Sequence, residues 1–346
     1  PRVAATLAAI LFGFGTMGSG VAIMLESKIL LYLTYGVLGG AGLGIGYISP
    51  VSTLVKWFPD RRGMATGLAI MGFGFASAIS GPAIKILIDE VGISSTFYIL
   101  GAIYFVVMFA SAQYLSTPPE GYMPEHFSKA IAAGKKKVKE DLASLSREEA
   151  IKTGRFYGLW IMLFINVTCG IAIISVASPL LQEVVGISAL AAASAVGLMG
   201  IFNGTGRIVW ASISDYLTRP VVFVLFFVTQ ILAFYFLTTV TSILIFQVLV
   251  YYIMTCYGGA FASIPAYIGD IFGTKQLGAI HGYILTAWAL AGLVGPIIIA
   301  YVKDTTGNYV GTLYVFVALF FVALITSILM MINIKKVRLS NQEANI

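Results

Sequence analysis

GYISPVSTLVKWFPDRRGMATGLAIMGFG, residues 46–74, holds two uncharged runs on either side of one short polar loop. The loop carries Lys56, Asp60, Arg61 and Arg62. Followed outward, the runs extend over 29–55 and 63–88, and a helix needs about 20 predominantly apolar residues to cross a bilayer. The stretch reads as a membrane hairpin whose loop gathers positive charge.

The same criterion gives ten spans along the chain, near 3–25, 29–55, 63–88, 93–115, 156–181, 187–213, 220–240, 242–268, 277–302 and 309–334. Composition agrees. Of 346 residues, 59% are hydrophobic and 10% charged, against roughly 25% charged in an ordinary soluble domain; the mean hydropathy is +0.93. A water-soluble globule is excluded, and so is a barrel of short alternating strands. The fold class is all-α and polytopic in the membrane.

Fourteen charged residues lie between Ser116 and Arg155. This polar stretch, with the run Lys135, Lys136, Lys137 and Lys139, reads as a linker carrying an amphipathic or surface helix. When the ends of alternate spans are assigned to one side, that side collects 17 of the 21 Lys and Arg, and the other only Lys28, Lys85 and Lys303. The positive-inside rule then places the linker and the C-terminus in the cytoplasm. A bacterial or archaeal inner membrane is the expected location, and no cleavable signal sequence is discerned.

Shifting the chain against itself by 215 residues pairs Pro50 with Pro265, Gly63 with Gly278, Gly67 with Gly282, Asp89 with Asp304 and Gly92 with Gly307. Gly81-Pro82 meets Gly295-Pro296 with a one-residue slip. A parallel repeat of helical bundles joined by a linker is the architecture of a two-lobed secondary transporter. The expected division is an N-terminal lobe at 1–115, a cytoplasmic linker at 116–154 and a C-terminal lobe at 155–346. The second half has two spans before its Arg219-Pro220-Val221, whereas the first half opens at Pro1-Arg2-Val3. Ten spans of a parent twelve are therefore expected.

Residues 46–74 and NGTGRIVWASISDYLTR, residues 203–219, carry a resemblance to the major facilitator superfamily. Within it the chain looks like the oxalate/formate antiporter and monocarboxylate transporter group, over essentially its whole length. The resemblance implies a cytoplasmic gate motif at Asp215 and Arg219, with Asp60, Arg61 and Arg62 in the discriminating string KWFPDRRG. Pro1-Arg2 resembles the tail of the matching first-half motif.

With every other Lys and Arg assigned to a loop or an end, Arg207 remains inside the sixth span. It precedes Asp215 by eight residues, about 12 Å along a helix. An Arg near the bilayer centre costs roughly 2.5 to 3.5 kcal/mol on insertion scales and usually faces the bundle interior or a water-filled cavity; snorkelling to the headgroups is the alternative. No Asp or Glu of the sequence lies at comparable depth, so the span interior is net positive there. A guanidinium fork in such a place holds a carboxylate bidentately, which points to an organic anion. The resemblance likewise gives this Arg the substrate carboxylate.

Asn203, one turn earlier on the same face, is placed to bond substrate, to orient the guanidinium or simply to pack. Oxalate carriers of the group resemble this chain but place a Lys where Trp288 stands. One fixed positive charge suits a monocarboxylate of the lactate, formate or pyruvate type better than a dicarboxylate. Tyr47, Tyr257, Phe261 and Trp288 are candidates for lining the cavity, with helix and lipid packing as the alternative. His281 is a candidate proton site or an interfacial contact. Some proton-coupled relatives carry Asp at the place of Asn203, so proton symport and anion exchange both stay open.

Other classes find little support. The glycine-rich runs contain no phosphate-loop string, an intramembrane enzyme needs convergent acid, base or metal ligands, and the two histidines and Cys169 and Cys256 do not supply them. A sensor that keeps the transporter fold is the remaining alternative. No cofactor and no nucleic acid are expected; the expected partners are a small organic anion, the bilayer and protons, around a monomer.

Overall fold

The computed structural model describes residues 1–135 and 141–344. Among the described residues all regular structure is helical: α1 (Arg2–Met24), α2 (Lys28–Leu31), a π-helical stretch (Tyr32–Gly39), α3 (Gly40–Trp57), α4 (Arg62–Gln113), α5 (Glu125–Ala132), α6 (Arg147–Ala150), α7 (Gly154–Ser175), α8 (Ala177–Val185), α9 (Ala189–Leu217), α10 (Arg219–Leu237), α11 (Ile243–Phe272), α12 (Leu277–Ile284), α13 (Thr286–Thr306) and α14 (Val310–Ala344). Of the lysine run, Lys136, Lys137 and Lys139 lie outside the described residues.

Among the described residues, eight segments are long and apolar enough to cross a membrane. One of them, α4, has 52 residues and is interrupted at Gly92, whose φ of 78° and ψ of 167° are not helical; it amounts to two crossings. Outside those eight, α9 has 29 residues, also enough for a crossing. Gly307, the repeat partner of Gly92, ends α13 at φ 75°, so both copies turn where only glycine is unstrained. The span expected at 156–181 is two helices meeting at Val176 and reaching Val185. Pro179 explains the break, because it lacks the N–H that would bond the carbonyl of Ser175. Polar residues start the helices as local chemistry dictates: the side chains of Thr153 and Ser188 accept from Phe156 N and Ala191 N, both at 3.3 Å.

The helices fall into two compact units, Pro1–Pro59 with Ile79–Lys137, and Asp60–Ala78 with Val138–Ile346. The first 17 residues of α4 thus pack with the C-terminal helices, across the boundary that chain order suggests. In the first unit α1 packs on α3 and on the π-helical stretch. Gly15 permits this, since a Cβ there would lie 2.8 Å from the carbonyl of Thr34. The amphipathic α5 buries Phe127, and Trp57 donates to Ser116 O at 2.7 Å.

In the second unit α11 is central, packed on α9, α10 and α7, and it is buried without interruption from Cys256 to Phe272. Phe227, Phe234, Phe316 and Phe320 fill the α10–α14 contact, and Phe223 packs on Tyr267 of α11. Outward-facing positions are apolar as well: Leu232, Leu293, Ile297 and Phe321 are each at least half exposed. A helix surface apolar on both faces belongs in lipid.

Candidate functional site

Arg207 sits in the middle of α9 at 6% exposure, and its Nε donates to Oδ1 of Asn203 at 2.9 Å. Their four-residue spacing brings the two side chains together on one helix face. The guanidinium carbon lies 5.2 Å from the ring centre of Phe261 and 5.9 Å from that of Phe73, within cation–π range. Trp288 meets Phe261 edge to face at 5.9 Å. Of the sequence candidates, the structure brings Arg207, Asn203, Phe261 and Trp288 together, and Phe73 joins them.

Glycines let three helices converge here. Gly258 of α11 lies against Asn203 O, with a Cβ position 3.1 Å from Arg207 Cγ. A Cβ on Gly67 of α4 would be 2.6 Å from Arg207 O, and Gly63 and Gly74 lie directly against Ala211 and Gly204. The beginning of α4 is thus laid on α9 along three glycines, and this approach carries Phe73 to the guanidinium. Phe73 is hidden in the sequence among 23 Phe; its one distinguishing sign is the flanking pair Gly72 and Gly74.

The other candidates are more dispersed. Tyr257 packs its ring against Gly170 of α7, and its carbonyl accepts from Asn166 Nδ2 at 3.2 Å. Asn166 Oδ1 in turn accepts from Gln230 Nε2 at 3.1 Å, and both amides are 1% exposed. Tyr47 is buried on α3 of the first unit, and His281 is 1% exposed on α12. Among the described residues no group of three His, Cys, Asp or Glu is placed to hold a metal ion.

At the α9–α10 turn the motif residues make a charged cluster. The Asp215 carboxylate accepts from Gly63 N and Met64 N, both at 2.9 Å, and so satisfies two amides at the start of α4 that have no intrahelical partner. Arg219 Nη2 pairs with Asp215 at 2.5 Å, its Nε lies 3.4 Å from Asp270 Oδ2, and Nη1 donates to Ser214 Oγ. Arg62 Nη1 reaches Asp141 Oδ1 at 2.6 Å and Asp270 Oδ1 at 3.2 Å. Arg61 pairs with its neighbour Asp60 at 3.6 Å and is half-exposed. The structure thus joins Arg62, Asp215 and Arg219 and adds Asp141 and Asp270, which sequence reading missed. Thr218, at φ 75°, is the sharp turn that folds Arg219 back onto Asp215; a β-branched residue there stores strain.

A family model described as Major Facilitator Superfamily matches residues 2–296. The chain is 27% identical to the oxalate:formate antiporter of Oxalobacter formigenes over 83% of its own length and 65% of the relative's. It is 27% identical to monocarboxylate transporter 12 of Xenopus laevis, over 89% of its length and 69% of the relative's. It spans 62 to 69% of the curated relatives it matches first. Among solved structures, the E. coli fucose:proton symporter FucP has a TM-score of 0.70 at 12% identity, covering 95% of this chain and 83% of that one. That likeness concerns the fold.

Proposed function

Because the chain belongs to the Major Facilitator Superfamily, and is a multi-pass membrane transporter rather than an enzyme, we propose that its cargo is a small organic anion of the monocarboxylate class. The observation that carries this is Arg207, buried in α9, aligned by Asn203 at 2.9 Å and flanked by the rings of Phe261 and Phe73. A guanidinium so held offers a planar fork to one carboxylate, while Phe261 and Trp288 supply the apolar wall that a short alkyl or keto substituent contacts. Tyr257, one turn before Phe261 on α11, is a further candidate partner for the carboxylate, and transport is by alternating access. The linker and C-terminus face the cytoplasm in this reading, which the distribution of Lys and Arg supports. Coupling is by proton symport, with His281 the candidate carrier, or by anion exchange.

The relation to the oxalate:formate antiporter favours a second reading, a dicarboxylate exchanger. Trp288 opposes it, since an indole provides no charge for a second carboxylate. Counterflow of radiolabelled lactate, formate and oxalate in proteoliposomes, with and without a pH gradient, separates these. Gradient-driven accumulation of a monocarboxylate is the expected result for symport, and accumulation only against an internal anion for exchange. Oxalate as the best substrate overturns the monocarboxylate assignment.

A further inference from the structure

The linker contributes more than a connection. Leu142 N donates to Asp270 O at 2.9 Å and Leu145 N to Phe272 O at 3.0 Å. These carbonyls belong to the last turn of α11, which has no donors of its own. Gly273, at φ 79°, ends the helix and lies under Ala143 O and Ser144. Asn341 Nδ2 of α14 donates to Leu142 O at 3.2 Å, and Arg147 N donates to Gln276 Oε1 at 2.8 Å. The strap ends in α6, closed by a reciprocal Ser146–Glu149 capping box. Residues 141–150 are thereby fastened to the ends of α11 and α14 rather than tethered loosely.

Asp141 stands at the beginning of this strap, 2.6 Å from Nη1 of Arg62 with its second oxygen 3.5 Å from Nη2. Asp270 is shared between Arg62 and Arg219, and Asp215 is engaged by Arg219 and the amides of Gly63 and Met64. Asp141 is the carboxylate closest to Arg62, whose side chain is 12% exposed. We propose that Asp141 is a gating residue supplied by the linker, which holds the first turn of α4 against the ends of α9 and α11 and so sets how often that turn is released. The inference rests on the transport reading only for its consequence in flux; the contact itself is tested without substrate.

The test is hydrogen–deuterium exchange of the reconstituted protein, comparing residues 60–66 with the strap 142–150. Losing a hydrogen bond between charged groups, Asp141→Asn is expected to speed exchange at Gly63 and Met64 roughly tenfold, with the strap still protected. Unchanged exchange at 60–66 overturns the proposal. If Asp141→Asn also frees the strap, Asp141→Glu decides: it keeps the charge and must keep 60–66 protected, and equal exposure in both variants overturns the proposal. A wild-type protein that transports none of the monocarboxylates, with Asp141→Asn still speeding exchange at 60–66, would count against the cargo reading and leave the contact standing.

Discussion

Gly67→Ala tests the close crossing of α4 and α9 most directly. The added methyl would lie 2.6 Å from Arg207 O, 3.0 Å from Ile208 Cα and 3.2 Å from Arg207 C. All three are main-chain atoms of a helix, so no side-chain rotation relieves the overlap. Restoring ordinary contact requires the two helices to part by about 0.8 Å. The same displacement stretches the two 2.9 Å bonds from Gly63 and Met64 to Asp215 to about 3.7 Å, beyond hydrogen-bond range. Overpacking costs about 1 to 3 kcal/mol, and weakened bonds to a carboxylate add about 1.5 kcal/mol or more. Alanine returns about 0.5 to 1 kcal/mol of helix propensity, which leaves a net loss of about 1.5 to 4 kcal/mol. Gly72 has nothing within 4 Å of its Cβ position, so Gly72→Ala keeps the propensity gain alone. Cys169 and Cys256 are both fully buried, and a thiol-reactive fluorophore therefore reports unfolding in detergent. Gly67→Ala should melt below wild type and Gly72→Ala at or above it; a Gly67→Ala protein as stable as Gly72→Ala refutes the crossing.

Arg207→Ala is expected to abolish uptake of the cargo anion while inserting normally, and Arg207→Lys, which loses the fork and the bond to Asn203, to raise KM at least tenfold; wild-type flux in Arg207→Ala removes the assigned site. Asn166→Leu leaves the buried amide of Gln230 without its acceptor and should cost about 1 to 3 kcal/mol, and Asn166→Leu with Gln230→Leu should recover part of it; a double variant as unstable as the sum of the singles contradicts the pairing. The Ser146 amide and hydroxyl hold the Glu149 carboxyl below its ordinary value of 4.5. A lowered folded-state pKa means that the capping box contributes fully above 4.5 and is lost as pH falls through the lower folded value. Amide protection at 147–153, corrected for intrinsic exchange, should decline only in that acid range, and a decline near neutrality would contradict the assignment.

The helices were legible in the sequence because each crossing demands a long uncharged run that nothing else requires. The Asn203–Arg207 pair was legible in its four-residue spacing, whereas the break after Ser175 was not: 156–181 reads as one span although Pro179 lies inside it. The charged cluster was only half legible. Asp215 and Arg219 are neighbours on one turn, but Arg62 and Asp270 lie 208 residues apart, and Asp141 looks like any solvated acid of a polar linker. Nor does local sequence say that the start of α4 packs with the C-terminal helices; that follows from Gly63, Gly67 and Gly74 each meeting a backbone on α9, a relation between distant surfaces.

The strap also fixes where the polypeptide divides for assembly from fragments. A cut at Gly134, exposed and at φ 68°, leaves the second fragment with Asp141, the amides that cover α11 and the whole of α6. A cut just before α7 strands those residues on the first fragment, so that its partner emerges with bare carbonyls at Asp270 and Phe272. Coexpressed halves divided at Gly134 should therefore reassemble where halves divided at Thr153 do not, although both cuts fall between the same two membrane helices.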